Sequence, residues 1–313
     1  SFLMLWPSIA VMTNIDHEHM GSYGSFAELQ EAFVDFANKV PFYGCVIACA
    51  DDPHLMPVLP RVKRRVLTYG LAENQADPIR WARSTATAHW SGTDVQLGAF
   101  GARCVVNHHR DDATERLGML ELTVPGRHNL QNALAAVAVG ARLGLPIDVI
   151  ADALTRFTGA DRRFQVVAVV DGITVIDDYA HHPTEISAVL ATIRLRTPRR
   201  VIAVFQAHRY TRTQQLLERF SEVFAGVDVL ILTEVYAASE LPIAGVTASA
   251  LAASVRQVAS VSVRVVSELD DVPSVVATEA QSGDVVVTLG AGSISSVVPK
   301  IVEVLAHLLQ PKV

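Results

Sequence analysis

The sequence predicts an α/β protein of two domains, the second built on a mostly parallel sheet with helices on both faces. Three observations lead there. Downstream of residue 161, apolar strand patterns alternate with helical ones, the order that builds parallel sheets through crossover helices. Upstream, residues 79 to 107 are rich in Thr, Ser, Gly and β-branched residues, which points to short antiparallel strands. The chain has 313 residues, 50% of them hydrophobic, enough for two cores of ordinary size.

Bulk properties exclude several classes of function. A net charge of −6 gives no general attraction to nucleic acid or anionic lipid. The three cysteines, Cys45, Cys49 and Cys104, make no disulfide framework, and a cytoplasmic location is expected. Cys45 and Cys49 lie in an apolar strand pattern and read as small buried residues. No apolar run reaches the roughly 18 residues of a membrane helix. The first twelve residues are apolar but lack a charged start and a cleavage site, so they do not read as a signal peptide. Without an initiator Met or a polar lead-in, the chain is expected to begin inside a domain.

In chain order, Ser8 to Thr13 reads as a buried strand running into Asn14-Ile15-Asp16-His17-Glu18-His19. Carboxylate and imidazole groups just past a strand end are candidate divalent-metal ligands, or simply a solvated turn. Ser25-Phe26-Ala27-Glu28 is a capping box, and Phe26, Leu29, Phe33 and Phe36 give its helix an apolar face. The Cys45 strand follows, then a turn at Asp51-Asp52-Pro53 and a strand at Val66 to Gly70. His108-His109, beside Arg110-Asp111-Asp112, reads as an exposed turn and not as a metal site. Leu120 to Pro125 is a strand ending at proline. Gly126 to Asn132 leads into a helix from Ala133 to Leu143 closed by Gly144. Asn129 and Asn132 are three apart near that helix start, so they share a face; their amides could read a base edge, or one could cap the helix. Residues 145 to 157 form another short helix, and Thr158-Gly159-Ala160-Asp161 a linker.

The second domain has expected strands at Gln165–Val170, Ile173–Ile176, Arg200–Phe205, Asp228–Thr233, Ser262–Val266 and Asp284–Leu289. The expected helices are Pro183–Arg196, Thr211–Phe224, Thr247–Val258, Asp271–Gln281 and Ile294–Leu309. Ile186, Val189, Leu190 and Ile193 mark the buried side of the first, and Pro299 should kink the last.

Chemistry-bearing residues gather past strand ends, where open α/β sheets bind ligands. Asp177-Asp178-Tyr179-Ala180-His181-His182-Pro183 puts two Asp, a Tyr and two His on one strand-to-helix turn. A solvated loop would be the better explanation of any one of them, but it is the weaker explanation of all five together. Phe205 to Thr213 carries Arg209 and Arg212 at a helix start, where two guanidinium forks suit a carboxylate or phosphate; pairing with a nearby Glu is the plainer alternative. Gly290-Ala291-Gly292-Ser293-Ile294-Ser295 is half of a dinucleotide fingerprint, and a tight turn for close backbone approach explains it as well. A dinucleotide-dependent oxidoreductase would rest on those glycines alone.

Asp178 to Thr184, Phe205 to Thr213, Gly126-Arg127-His128-Asn129 and Arg162-Arg163-Phe164 together resemble the Mur ligases, over nearly the whole chain. Within that family the resemblance is to members that join L-alanine to UDP-N-acetylmuramate with ATP and Mg²⁺ through an acyl phosphate, in peptidoglycan synthesis. The Arg209 stretch differs from that of the related ligase for recycled tripeptide. The resemblance implies part of a central ATPase domain with a mixed sheet over residues 1–160, and a Rossmann-like, doubly wound carboxy-terminal domain over residues 161–313. The chain contains no G-x-x-G-K-[ST] phosphate loop and no counterpart of the family's UDP-binding domain. The expectation is therefore a truncated ligase, a fragment or a degenerate copy, and a non-catalytic binding module is the second reading.

By the same resemblance His19 would bind the metal, with Asp16 and Glu18 exchanged relative to the family's N-I-E-x-D-H. His128, Asn129 and Asn132 would meet adenine, and Arg163 and Asp178 the phosphates and ribose. Tyr179, His181, Arg209 and Arg212 would surround L-alanine, the arginines on its carboxylate and His181 as a candidate base. The expected partners are small molecules, with neither nucleic acid nor membrane, and the expected state a monomer or weak homodimer.

Overall fold

The computed structural model describes residues 2–18, 20–72, 88–110 and 113–308. The chain divides into two compact units, Ser1–Thr158 and Gly159–Val313, and the division falls inside the stretch read as a linker.

The first unit is a six-stranded mixed sheet in the order β1-β2-β3-β4-β5-β6. Its strands are β1 (Ile9–Met12), β2 (Cys45–Cys49), β3 (Val66–Leu71), β4 (Trp90–Leu97), β5 (Ala102–Arg110) and β6 (Ala113–Leu122). β1 to β4 pair in parallel, while β4, β5 and β6 form an antiparallel meander. All five residues of β2 are buried, as a central strand covered on both faces requires, and the cysteines among them are free thiols. The expected histidine turn is instead strand: His108 and His109 lie in β5, with His109 hydrogen-bonded to Ser91 and Thr114.

Helix α1 (Phe26–Asn38) is capped by Ser25, whose hydroxyl accepts from Glu28 N–H at 3.2 Å. The Glu28 carboxylate reaches back one residue further than a capping box does, to Gly24 N–H at 2.9 Å. Helix α2 (Arg127–Arg142) starts six residues before the expected Ala133. Gly126, at φ 104°, takes the cap position in a backbone conformation that side chains resist, so the helix can begin at once. α3 (Ile147–Thr155) follows a turn through Gly144.

The second unit has the sheet order β11-β10-β9-β12-β8-β7. The strands are β7 (Gln165–Val170), β8 (Ile173–Asp178), β9 (Val201–His208), β10 (Val229–Tyr236), β11 (Ser262–Val266) and β12 (Val285–Leu289). All neighbours run parallel except the edge strand β7, which is antiparallel to β8 and irregular between Val166 and Ala168. Successive strand residues point to opposite faces, and two apolar cores result. On one face Phe205, Leu230 and Val287 meet α4 (Pro183–Arg194), α6 (Leu217–Val223) and α7 (Ala248–Val258). On the other, Val204, Ile231 and Val286 meet α8 (Val272–Glu279) and α9 (Val298–Leu308). Ile186, Val189, Leu190 and Ile193 are all buried in the first core, as the helical spacing predicts.

Three boundaries differ from expectation. The segment 211–224 breaks at Leu216 into α5 (Tyr210–Gln215) and α6. Pro299 does not kink a long last helix: residues Ser293–Val297 form a 3-10 turn, and α9 begins at Val298. Proline then sits in the first helical turn, where its missing N–H removes no bond. Finally, β8, β9 and β10 run two or three residues beyond their expected apolar ends, carrying polar groups out to the strand tips. Among the described residues no helix is long and apolar enough to cross a membrane.

Phe220 is fully buried, with its ring 5.3 Å from that of Phe205. Replacing Phe220 by Ala is expected to destabilise the second unit by about 3–5 kcal/mol, read from chemical denaturation; a change below about 1 kcal/mol would show that this core refills the space.

Candidate active site

At the end of β8 the chain turns into α4, and two carboxylates set that turn. Asp178, 3% exposed, accepts Phe164 N–H through one oxygen and Ala180 N–H through the other, both at 2.7 Å. Glu185, in the first turn of α4, accepts the N–H groups of His181 at 3.0 Å and His182 at 3.3 Å. His182 occupies the cap position and returns the bond, accepting from Thr184 N–H through Nδ1. Pro183 at the first helical position completes a start signal that the sequence carries openly.

The turn holds up Tyr179 and His181. The guanidinium carbons of Arg162 and Arg163 stand 5.1 and 5.4 Å from the centre of the Tyr179 ring. His181 Nδ1 is 3.0 Å from the Tyr179 carbonyl and 3.4 Å from Glu185 Oε2. Both neighbours only accept, so Nδ1 carries the proton. The His181 ring is 5.3 Å from Tyr179 and 5.5 Å from His208 at the tip of β9; His208 stacks on Tyr236 at the tip of β10, at 5.4 Å and 19°. The two predicted turns thus open on the same side, and four rings line their meeting place.

Arg212 Nη1 lies 3.4 Å from His208 Nδ1. Guanidinium only donates, so His208 accepts there and holds its proton on Nε2. Burial, reinforced by His181, Arg212 and Arg209, lowers the His208 pKa to about 4. The ring is neutral near pH 7, and its tautomer is the opposite of that of His181.

Arg209 stands at φ 74°, in the left-handed region, with its backbone N–H bonded to the Tyr236 carbonyl. Its side chain pairs with Glu240 at 3.4 Å. The plainer alternative therefore holds for Arg209, and the anion beside it is internal: Glu240 also accepts the Thr211 N–H at 3.0 Å and hydroxyl at 2.7 Å. Partial burial works against the Glu240 charge, but these donors outweigh it and hold its pKa below the usual carboxylate range. Glu240 is thus a carboxylate held by a hydroxyl, an amide and a guanidinium.

Between the tips of β8 and β9 lies the Gly290 turn at the end of β12. A Cβ on Gly290 would stand 2.9 Å from the Gln206 carbonyl, and one on Gly292 2.6 Å from Tyr236 Cγ. The Gln206 side chain accepts Ile294 N–H at 3.0 Å, closing the turn. Close packing accounts for both glycines without a dinucleotide.

Two phosphate or ribose candidates fare differently. Arg163 is half exposed and reaches Glu185 at 3.6 Å, so it remains available. Asp178 is corrected: both its oxygens serve the backbone, and burial raises its pKa in spite of those two donors. It builds the turn and presents no open carboxylate.

In the first unit, the start of α2 brings His128, Asn129 and Asn132 into two turns. Neither asparagine caps the helix. Asn129 donates to the Pro125 carbonyl at 2.7 Å, and Asn132 is exposed. Gln131, between them, donates to Asp51 Oδ2 at 2.7 Å, and the same oxygen accepts Leu71 N–H at 2.9 Å. The helix start is thereby tied to the ends of β2 and β3. His19 lies outside the described residues, and among those described no group of three or more His, Cys, Asp or Glu gathers as a metal site.

His208, Tyr236, Glu240 and Arg162 complete the second-unit site without having been singled out from sequence. His208 stood in the quoted Phe205–Thr213 stretch, and Arg162 in the quoted Arg162-Arg163-Phe164. Glu240, 31 residues from Arg209, left no local signal.

Comparison with known proteins gives the family. The Mur ligase middle domain matches residues 2–140, and the Mur ligase, glutamate ligase domain matches residues 162–292. A UDP-N-acetylmuramate–L-alanine ligase of Myxococcus xanthus is 43% identical over 305 residues, 97% of this chain and 61% of that protein. One of Nitratidesulfovibrio vulgaris is 44% identical over 298 residues, 95% of this chain and 62% of that protein. The chain thus spans about three-fifths of the length of these relatives. Among solved structures, the UDP-N-acetylmuramate-alanine ligase of Thermotoga maritima superposes with a TM-score of 0.73 at 23% identity, covering 96% of this chain and 60% of that one. A murein peptide ligase from Psychrobacter arcticus gives 0.66 at 21%, over 99% and 60%. These two show the shared fold.

Two outcomes are expected. Gly292→Ala should destabilise the second unit by about 1–3 kcal/mol in chemical denaturation, because the added methyl meets Tyr236 and Gln206. His208 should be neutral at pH 6 with its proton on Nε2 in long-range ¹H–¹⁵N spectra. Because the folded chain binds that proton more weakly than the unfolded chain, stability should fall as pH drops from about 6.5 to about 4. His208→Gln should flatten that slope; a charged ring at pH 6 would contradict both statements.

Proposed function

The chain belongs to the Mur ligases, and from that membership we propose that it supplies the amino-acid site and part of the nucleotide site of an ATP-dependent ligase. The proposed reaction joins L-alanine to the lactyl carboxylate of UDP-N-acetylmuramate, in the cytoplasm, as a step of peptidoglycan synthesis. One observation carries the reading: the β8 and β9 tips bring Tyr179, His181, His208 and Arg212 together, beside a carboxylate already seated on Arg209 and Thr211.

In this reading the UDP-N-acetylmuramate carboxylate attacks the ATP γ-phosphorus and ADP leaves. The alanine amine then attacks the acyl phosphate carbon, and inorganic phosphate departs from the tetrahedral adduct as the amide forms. Negative charge builds on oxygen at each stage, so fixed cations lower the barrier. Arg209 and Thr211 would take the alanine carboxylate in the manner in which they hold Glu240. Arg212 would face the developing charge, with its orientation fixed by the bond to His208. The amine must lose a proton as it attacks. His181, with Nδ1 occupied as a donor, would offer Nε2 as the acceptor. Tyr179, flanked by two guanidinium groups, would close one wall of the site.

For ATP, the amides of Asn129 and Asn132 would read the adenine edge, with His128 beside the ring and Arg163 toward the phosphates. Mg²⁺ belongs to the family reading. Among the described residues no three or more His, Cys, Asp or Glu gather as a metal site.

The test uses the full-length gene product. Phosphate release should require L-alanine and UDP-N-acetylmuramate together. Arg209→Ala should raise KM for L-alanine by about 1–3 kcal/mol in binding terms, roughly 5- to 150-fold, or abolish turnover. Unchanged kinetics would remove Arg209 from the site. Ligation of a tripeptide in place of L-alanine would support the recycling ligase, whose solved representative shares this fold.

A further inference from the structure

We propose that Arg162 is the positioning residue of this site, setting Tyr179 and the Gly290 turn for the amino acid while touching no ligand itself. The inference rests on the reading above that the strand tips form the amino-acid site.

Four attachments of Arg162 reach the strand tips and the Tyr179 turn. Its Nε donates to Asp177 Oδ2 at 3.1 Å, and its Nη2 donates to the Gly290 carbonyl at 2.6 Å. Its own carbonyl accepts Tyr179 N–H at 2.7 Å, and its guanidinium carbon stands 5.1 Å from the Tyr179 ring centre. One planar group thus joins the tip of β8, the tip of β12 and the turn between β8 and α4. Asp177 is held in turn, since Thr288 Oγ1 donates to its other oxygen at 2.7 Å. The pair is largely removed from solvent, with side-chain exposures of 25% for Arg162 and 7% for Asp177.

The backbone supports the same assignment. Arg162 and Phe164 have φ of 58° and 49°, left-handed conformations that neither residue type favours. Such conformations persist where surrounding contacts over-determine them, and they concentrate at functional sites. Here they turn Arg162 inward and leave Arg163, half exposed, to reach Glu185. The two arginines are neighbours in sequence with different work.

Lysine cannot replace the fork. A single ammonium can pair with Asp177, but it lacks the rigid second donor for Gly290 and the flat face for Tyr179. In the full-length protein, Arg162→Lys should raise KM for L-alanine about tenfold or more while KM for ATP and for UDP-N-acetylmuramate changes by less than about twofold. Asp177→Asn, which keeps the Thr288 bond and loses the ion pair, should give the same split. Adding Arg162→Lys to Tyr179→Ala should cause little further loss, because both act through one ring. An equal rise in all three KM values, no change, or full additivity would overturn the proposal. Should the wild-type protein prove indifferent to L-alanine, the reading of the site fails and hydrogen exchange decides the positioning claim. Faster exchange at the Tyr179 amide in Arg162→Lys supports it, and unchanged exchange overturns it.

Discussion

Two adjacent carboxylates buried at the end of β8 impose the conditions that the surrounding structure meets. Asp177 and Asp178 point to opposite faces of the sheet, as neighbours in a strand must. A carboxylate removed from water without partners is strongly destabilising, so each face has to supply donors. On one face Arg162 and Thr288 serve Asp177; on the other the N–H groups of Phe164 and Ala180 serve Asp178. The donors Arg162 and Phe164 come from the segment just past the linker, which is thereby folded over the strand tip. The left-handed residues of that segment, the direction of the Tyr179 ring and the placement of the Gly290 turn all follow from satisfying this one pair.

Arg209 is balanced by Glu240, and Arg163 by Glu185. Arg212 faces a neutral imidazole. Opposite tautomers on His181 and His208 give the pocket one ring that accepts and one that donates through Nε2. Under the proposed function, Glu240 occupies the position assigned to the amino-acid carboxylate, so binding there would require Glu240 to rearrange.

Much of the second unit was legible in the sequence because its strands are buried on both faces and its helices on one. Continuous apolar runs such as Val201 to Phe205 and the 3.6-residue spacing of Ile186, Val189, Leu190 and Ile193 have no other efficient use. What the pattern could not show was where polar extensions of a strand still pair, so β9 reached His208 unannounced. It also could not show the orientation of a carboxylate: Asp178 reads as a ligand group by type and proves structural by the two N–H groups aimed at it. Glu240 lies far from Arg209 along the chain, and only the fold brings it near. In the first unit, Gly126 allowed α2 to start early because a positive φ stands outside any apolar periodicity. His19 lies outside the described residues.

The antiparallel, irregular edge strand β7 has a further consequence. It covers β8, a strand buried along nearly all its length, whose unpaired backbone would otherwise match any extended chain it met. A straight, apolar border of that kind invites neighbouring molecules to add on in register, whereas the offset between Val166 and Ala168 spoils such growth. The strand that opens the second unit therefore closes off the apolar edge of β8 with an irregular one.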